Sequence, residues 1–117
     1  MVQTAAGTGG RSMTNNINSV IIEGVLENKQ KKKTDKGTEY TVLLVTCKHC
    51  FKGKDGELEQ EWHTFVCQAW GKLGEAAKAY KVGEPCRIVG RMANTRTEDE
   101  LIPYTSVIIA EHIEGRA

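Results

Sequence analysis

Three groups of side chains in this sequence could do chemistry. The first is aromatic: Phe51, Trp62 and Trp70. On a regular strand, residues 62, 64, 66, 68 and 70 share one face. Both indoles then lie beside Thr64, Val66 and Gln68, while His63, Phe65, Cys67 and Ala69 point the other way and read as the core side. Large rings left on a surface mark a ligand or partner. Nucleobases stack on such rings whatever their sequence, each contributing roughly 1–3 kcal/mol. The plainer alternative is that one or both tryptophans fill the core.

The second group is cationic. Lys29, Lys31, Lys32, Lys33, Lys36, Lys48, Lys52 and Lys54 face only Asp35 and Glu39 within residues 28–54, although the whole chain carries a formal charge of only +1. Residues 55–117 are net acidic. A neutral chain with one basic region suits an anionic partner met on one side. Interleaved with rings, these lysines suit a phosphate backbone; by themselves they could be solvated loop charge.

The third group is Cys47-Lys48-His49-Cys50, with His63 a hairpin away. Thiolates and imidazoles can hold zinc. A single CxxC whose cysteines fall on opposite faces of a strand reads instead as free thiols, and with no export signal the four cysteines are expected reduced. Thr97-Glu98-Asp99-Glu100 could hold a divalent cation but reads as a solvated turn. No Ser-His-Asp set, phosphate-cradling glycine loop or HExxH motif is present, so the chain is expected to be a binder, not an enzyme, with no cofactor and no metal.

The elements that position these groups follow from periodicity. At 117 residues the chain is one domain. It has no apolar run of about 18 residues and no secretory start, so a cytoplasmic, membrane-free protein is expected. Residues 1–14 read as a small, Gly-rich leader and 15–117 as the domain. Strands are predicted over 17–28, 38–50, 60–70, 86–96 and 101–114, with a charged loop over 29–37 and a bend at Gly24. Leu73, Ala76, Ala77 and Tyr80 share one helical face, predicting a helix over 71–82 that Gly83 and Pro85 stop. Pro103 suits only an edge or bulge. Five strands with one helix between the third and fourth give an all-β class and an oligonucleotide/oligosaccharide-binding (OB) fold, a five-stranded Greek-key barrel.

Four segments in register resemble the DNA-binding domain of bacterial single-stranded DNA-binding proteins. They are Ile21-Ile22-Glu23-Gly24-Val25-Leu26, Phe51-Lys52-Gly53-Lys54-Asp55-Gly56-Glu57, Ala69-Trp70-Gly71-Lys72-Leu73 and Val89-Gly90-Arg91-Met92. The resemblance covers roughly residues 17 to 114. It implies sequence-tolerant binding of single-stranded DNA in replication, recombination and repair. Phe51, Trp62 and Trp70 would stack bases; Lys31, Lys32, Lys33, Lys48, Lys52, Lys54, Lys72, Arg91 and Arg96 would meet phosphates. It also implies a homotetramer, or a dimer, with Val42, Leu44 and the odd-numbered residues of the first strand between copies. The sequence departs from the family where Thr97 replaces an aromatic residue, and where it ends in Glu114-Gly115-Arg116-Ala117 without an acidic tip. Replication and repair enzymes are therefore expected as partners only if a native tail exists. A tail-less, primosomal-type interaction module is the alternative.

Overall fold

The computed structural model describes residues 14–96, 101 and 104–115. The expected leader (Thr14 apart), the acidic turn at 97–100, Pro103 and Arg116 lie outside the described residues. Five strands and one helix follow one another as β1 (Val20–Lys33), β2 (Glu39–Lys52), β3 (Leu58–Trp70), α1 (Gly71–Ala77), β4 (Pro85–Arg96) and β5 (Tyr104–Gly115). The strands close into a barrel in the order β1-β2-β3-β5-β4, with β4 pairing back onto β1. Among the described residues only the β3–β5 contact is parallel, and it is short, at Cys67 and Gln68. This is the expected OB architecture. No helix among the described residues is long and apolar enough to cross a membrane.

Period-2 alternation drives the core inward. Leu26, Leu43, Val45, Cys67, Ala69 and Ile88 are buried together with Ile108 and Ile113. Ala69 and Cys67 point inward as their positions on β3 predict. His63 and Phe65, expected on the same inward face, are exposed. The reason is geometric: at Phe65 β3 is no longer paired with β5, although β2 opposite it is still paired with β1 at Leu26↔Val45, and from Cys47 and His63 outward β2 and β3 run on together as a two-stranded arm. Their inner face there has no barrel behind it.

Within the charged stretch 29–37, residues 29–33 correct the expectation of a loop, while 34–37 form a turn as expected. β1 continues to Lys33 and pairs with β2 as far as Lys33↔Glu39. No apolar alternation marks this stretch; pairing with an adjacent strand overrides its polar composition. A register shift between Leu26 and Asn28 separates it from the first half of β1. The irregularity expected at Gly24 lies further along, between Leu26 and Asn28, and Gly24 itself pairs regularly with Cys86. At Gly24 the strand is paired with β4 while passing close to β2, and an added Cβ would lie 2.2 Å from the Thr46 carbonyl oxygen.

The helix is shorter than its periodicity predicts. It ends at Ala77, and Lys78, Ala79 and Tyr80 follow in tight turns that donate to Glu75, Ala76 and Ala77. Ala76 is exposed; Gly74 and Ala77 are buried instead. The Thr41 hydroxyl donates to the Gly74 carbonyl at 2.9 Å, and the Tyr80 hydroxyl to that of Ile113 at 3.2 Å. Lys29 turns its ammonium to the Lys78 and Tyr80 carbonyls, capping the end of the helical segment where acceptors are left over.

Gly24→Ala should destabilise the fold by about 1–3 kcal/mol, because the new methyl collides with fixed backbone rather than a movable side chain. The test is urea unfolding, where the midpoint should fall while the slope stays unchanged.

Candidate nucleic-acid interface

β2 and β3 pair without a slip from Tyr40↔Trp70 to Lys52↔Leu58. Directly opposed residues share a face, so the even-numbered residues of both strands line one side of the ribbon. That side carries Tyr40, Lys48, Lys52, Trp62 and Trp70. The other carries Glu39, Glu59 and Glu61, and within this ribbon every lysine therefore lies opposite every glutamate in facing. β1 extends the pattern: Lys32 pairs with Tyr40, whereas Lys31 and Lys33 alternate to the side of Glu39.

Trp62 and Trp70 thus share a face, as their spacing predicts, but differ in setting. Trp62 is 59% exposed. It borders an open groove of about 460 Å³ with Lys48, Thr46 and the Glu23–Glu27 segment of β1. Trp70 is half-buried. Its ring stacks on Tyr40, with centroids 4.2 Å apart and planes 14° from parallel, and its indole N–H donates to Gln68 Oε1 at 3.1 Å. Gly71, at φ 62°, then turns the chain from strand into helix, a left-handed conformation that favours glycine. Tyr40 was absent from the sequence reading. Its signal was its place in the hairpin register, two strands meeting across an Asp-Gly turn.

Phe51 is 37% exposed and stacks with His49 at 5.7 Å. It lies on the opposite side of the ribbon from both tryptophans, opposite Glu59. The expected cations are also dispersed. Lys31 forms an ion pair with Glu39 at 3.2 Å, and Lys33 approaches the same carboxylate at 3.9 Å. The hydrogen bond and charge between Lys31 and Glu39 raise the lysine's pKa and lower the glutamate's. Arg91 pairs with Glu111 at 3.5 Å on the β4–β5 side. Lys72 is exposed in the first turn of α1, Lys54 lies in the β2–β3 turn and Arg96 ends β4. The structure therefore brings together Lys32, Lys48, Lys52, Trp62 and Trp70 on one face, and leaves Lys31, Lys33, Lys54, Lys72, Phe51, Arg91 and Arg96 elsewhere.

All four cysteines are free. Cys47 and Cys50 fall on opposite faces of β2, and no group of three or more potential metal ligands is gathered among the described residues. Burial pushes the Cys67 thiol up to about 12 and raises Cys47 and Cys86 as well.

A closed OB barrel bearing rings and lysines on one face defines a class of oligonucleotide-binding domain. Residues 17–115 match the Single-strand binding protein family, and the chain belongs to that family. A search of curated proteins gives no match. Among solved structures, a deletion mutant of the single-stranded DNA-binding protein of Thermus aquaticus superposes at a TM-score of 0.73 with 18% identity, over 86% of this chain and 51% of that one. The chain thus spans about half the length of that relative. A Plasmodium falciparum SSB in complex with single-stranded DNA gives 0.75 at 10% identity, over 91% of this chain and all of that one. PriB of Ralstonia solanacearum gives 0.61 at 15% identity, covering 86% of this chain and all of that one.

Two outcomes follow from the geometry. Trp70→Ala should lower unfolding stability by at least the roughly 0.5–1.5 kcal/mol of a ring pair, while Trp62→Ala should stay within about 0.5 kcal/mol of the parent; urea melts compare them. With a disulfide reagent at neutral pH, one thiol should react fast and Cys50→Ser should abolish that phase. The other three should react only slowly until the chain is unfolded, because burial disfavours their thiolates.

Proposed function

We propose that this chain binds single-stranded DNA without catalysis. Bases stack on Trp62 and on the Trp70 end of the face, and Lys32, Lys48 and Lys52 meet the phosphates. The observation that carries this reading is the segregation on the β2–β3 ribbon, where indoles and lysines share one face and glutamates occupy the other. A duplex hides its base faces, so a surface built on ring stacking selects unpaired strands. Membership of the single-strand binding family and the Plasmodium complex support the same ligand.

The two ring clusters lie eight residues apart along β3, roughly 26 Å at strand rise. Between them the face carries no charge, with Val42, Leu44 and Val66 alongside Thr46, Thr64 and Gln68, and Ile21 is exposed on β1. We assign contacts between copies to these apolar residues, in a homotetramer or dimer; a light-scattering mass equal to one chain would reject that assignment. Roles in replication, recombination and repair follow from the family and belong to the same proposal, as does a cytoplasmic location.

Fluorescence anisotropy with a labelled oligonucleotide tests the reading. Affinity should fall steeply with salt, and Trp62→Ala should weaken binding by about 1–3 kcal/mol. Each lost phosphate contact flattens the slope of log K against log salt by roughly 0.7. Neutralising Lys32, Lys48 and Lys52 together should therefore change it by about 2, while neutralising Lys31 and Lys33, already engaged by Glu39, should change it little. A folded protein that binds no oligonucleotide would overturn the reading in favour of the alternative, a tail-less primosomal-type module acting mainly through protein interactions.

A further inference from the structure

Beside Trp62 and Lys48, on the same side of the ribbon, two hydroxyls meet across the ladder. Thr46 opposes Thr64, one row inward of the Lys48–Trp62 pair, roughly 7 Å along the strands. Their Oγ1 atoms lie 2.7 Å apart in a hydrogen bond that either residue can donate. Thr46 is half-buried and lines the groove next to Trp62, whereas Thr64 is exposed. Thr64 stands on β3, away from the groove carboxylates Glu23 and Glu27 on β1. On this face of the β2–β3 ladder no cation stands between Lys48 and the Tyr40–Trp70 pair. A phosphate that follows the one at Lys48 toward Trp70 therefore meets neutral groups.

Counting hydrogens gives the pair a direction. Each hydroxyl carries one hydrogen and two acceptor lone pairs. One hydrogen joins the two oxygens and the other is left over, since neither hydroxyl has a second partner among the described residues. An acceptor arriving at the exposed residue fixes the order: Thr46 donates to Thr64, and Thr64 donates outward. Hydrogen bonds in such a chain polarise one another, which makes the outer hydroxyl the better donor. β-branching limits both side chains to few rotamers, so little freedom is lost on binding. A phosphate oxygen only accepts, which matches the single donor that this row presents.

We propose that Thr64 donates its hydroxyl to the phosphate next to the one held by Lys48, and that Thr46 is the positioning residue that aims it. The inference rests on the single-strand binding reading above and deepens it. One backbone contact is made by an uncharged group, which displaces no counterion of its own. That contact adds affinity without adding to the salt dependence that the lysines create.

Thr64→Val removes the hydroxyl and keeps the branched shape that a strand favours. In anisotropy titrations of the full chain with dT and dC homo-oligomers of equal length, it should weaken binding about 3-fold or more, by the same factor for both. The slope of log K against log salt should match the parent's, unlike the change of roughly 0.7 for each lost lysine contact. Thr64→Ser should restore the parental affinity. Thr46→Val should weaken binding less, and the double valine variant no more than Thr64→Val alone, because the two hydroxyls act in series. Urea melts identify which variants remain folded, and Thr64→Ala repeats the test should valine disturb the ladder. Parental affinity in a folded variant without the Thr64 hydroxyl would overturn the proposal. So would a loss confined to one of the two bases, a serine variant as weak as the valine, or a slope change of a lysine's size. A folded parent that binds neither oligomer would overturn the general reading instead.

Discussion

The structure depends on one unbroken antiparallel ladder. Thirteen successive pairs join β2 to β3 with no bulge, and strand alternation turns that continuity into a sorting rule. A one-residue slip of either strand would carry its own core pair, Leu43 and Val45 on β2 or Cys67 and Ala69 on β3, out of the core and bring Lys48 or Trp62 to the wrong side. Burial of those four residues therefore fixes which face the rings and lysines occupy, although none of the latter touches the core. The other strands tolerate irregularity. β1 shifts register after Leu26, and the β4–β5 ladder shifts between Val89 and Gly90. Irregularity is found where a barrel must bend, and regularity where a ligand face must stay flat.

Much of this was legible from residue type and spacing. The element order, the OB class and the shared face of Trp62 and Trp70 all follow from local patterns, because alternation and turn residues are written within a few positions of one another. Where the local pattern failed, the deciding partner was remote in sequence. Nothing near Phe65 says that β5 has stopped pairing with β3, so its exposure could not be read. Nothing near Lys31 says that Glu39 will lie beside it, nor near Lys29 that two carbonyls following α1 will claim it. The lysines looked like one set because composition counts charges without regard to facing.

The short Ala69–Leu73 stretch shows why a motif can be so compact. Ala69 fills the barrel wall, Trp70 turns outward onto Tyr40, Gly71 allows the change of direction, and Leu73 packs back against the core. Each position answers a different demand made by the same corner. The glycine and the alanine are there for shape, and the tryptophan for the surface.

The arm formed by β2 and β3 beyond the barrel divides the protein's labour in a way that bears on its evolution. Residues such as Lys48, Cys50, Lys52 and Trp62 are exposed and contribute nothing to the buried cluster. Exchanges at these positions escape the penalties that govern the interior. A lineage can therefore retune what the arm recognises, one side chain at a time, without first acquiring a more robust barrel. Drift in ligand preference should outpace drift in architecture, and descendants that share this framework need not share a taste in nucleic acid.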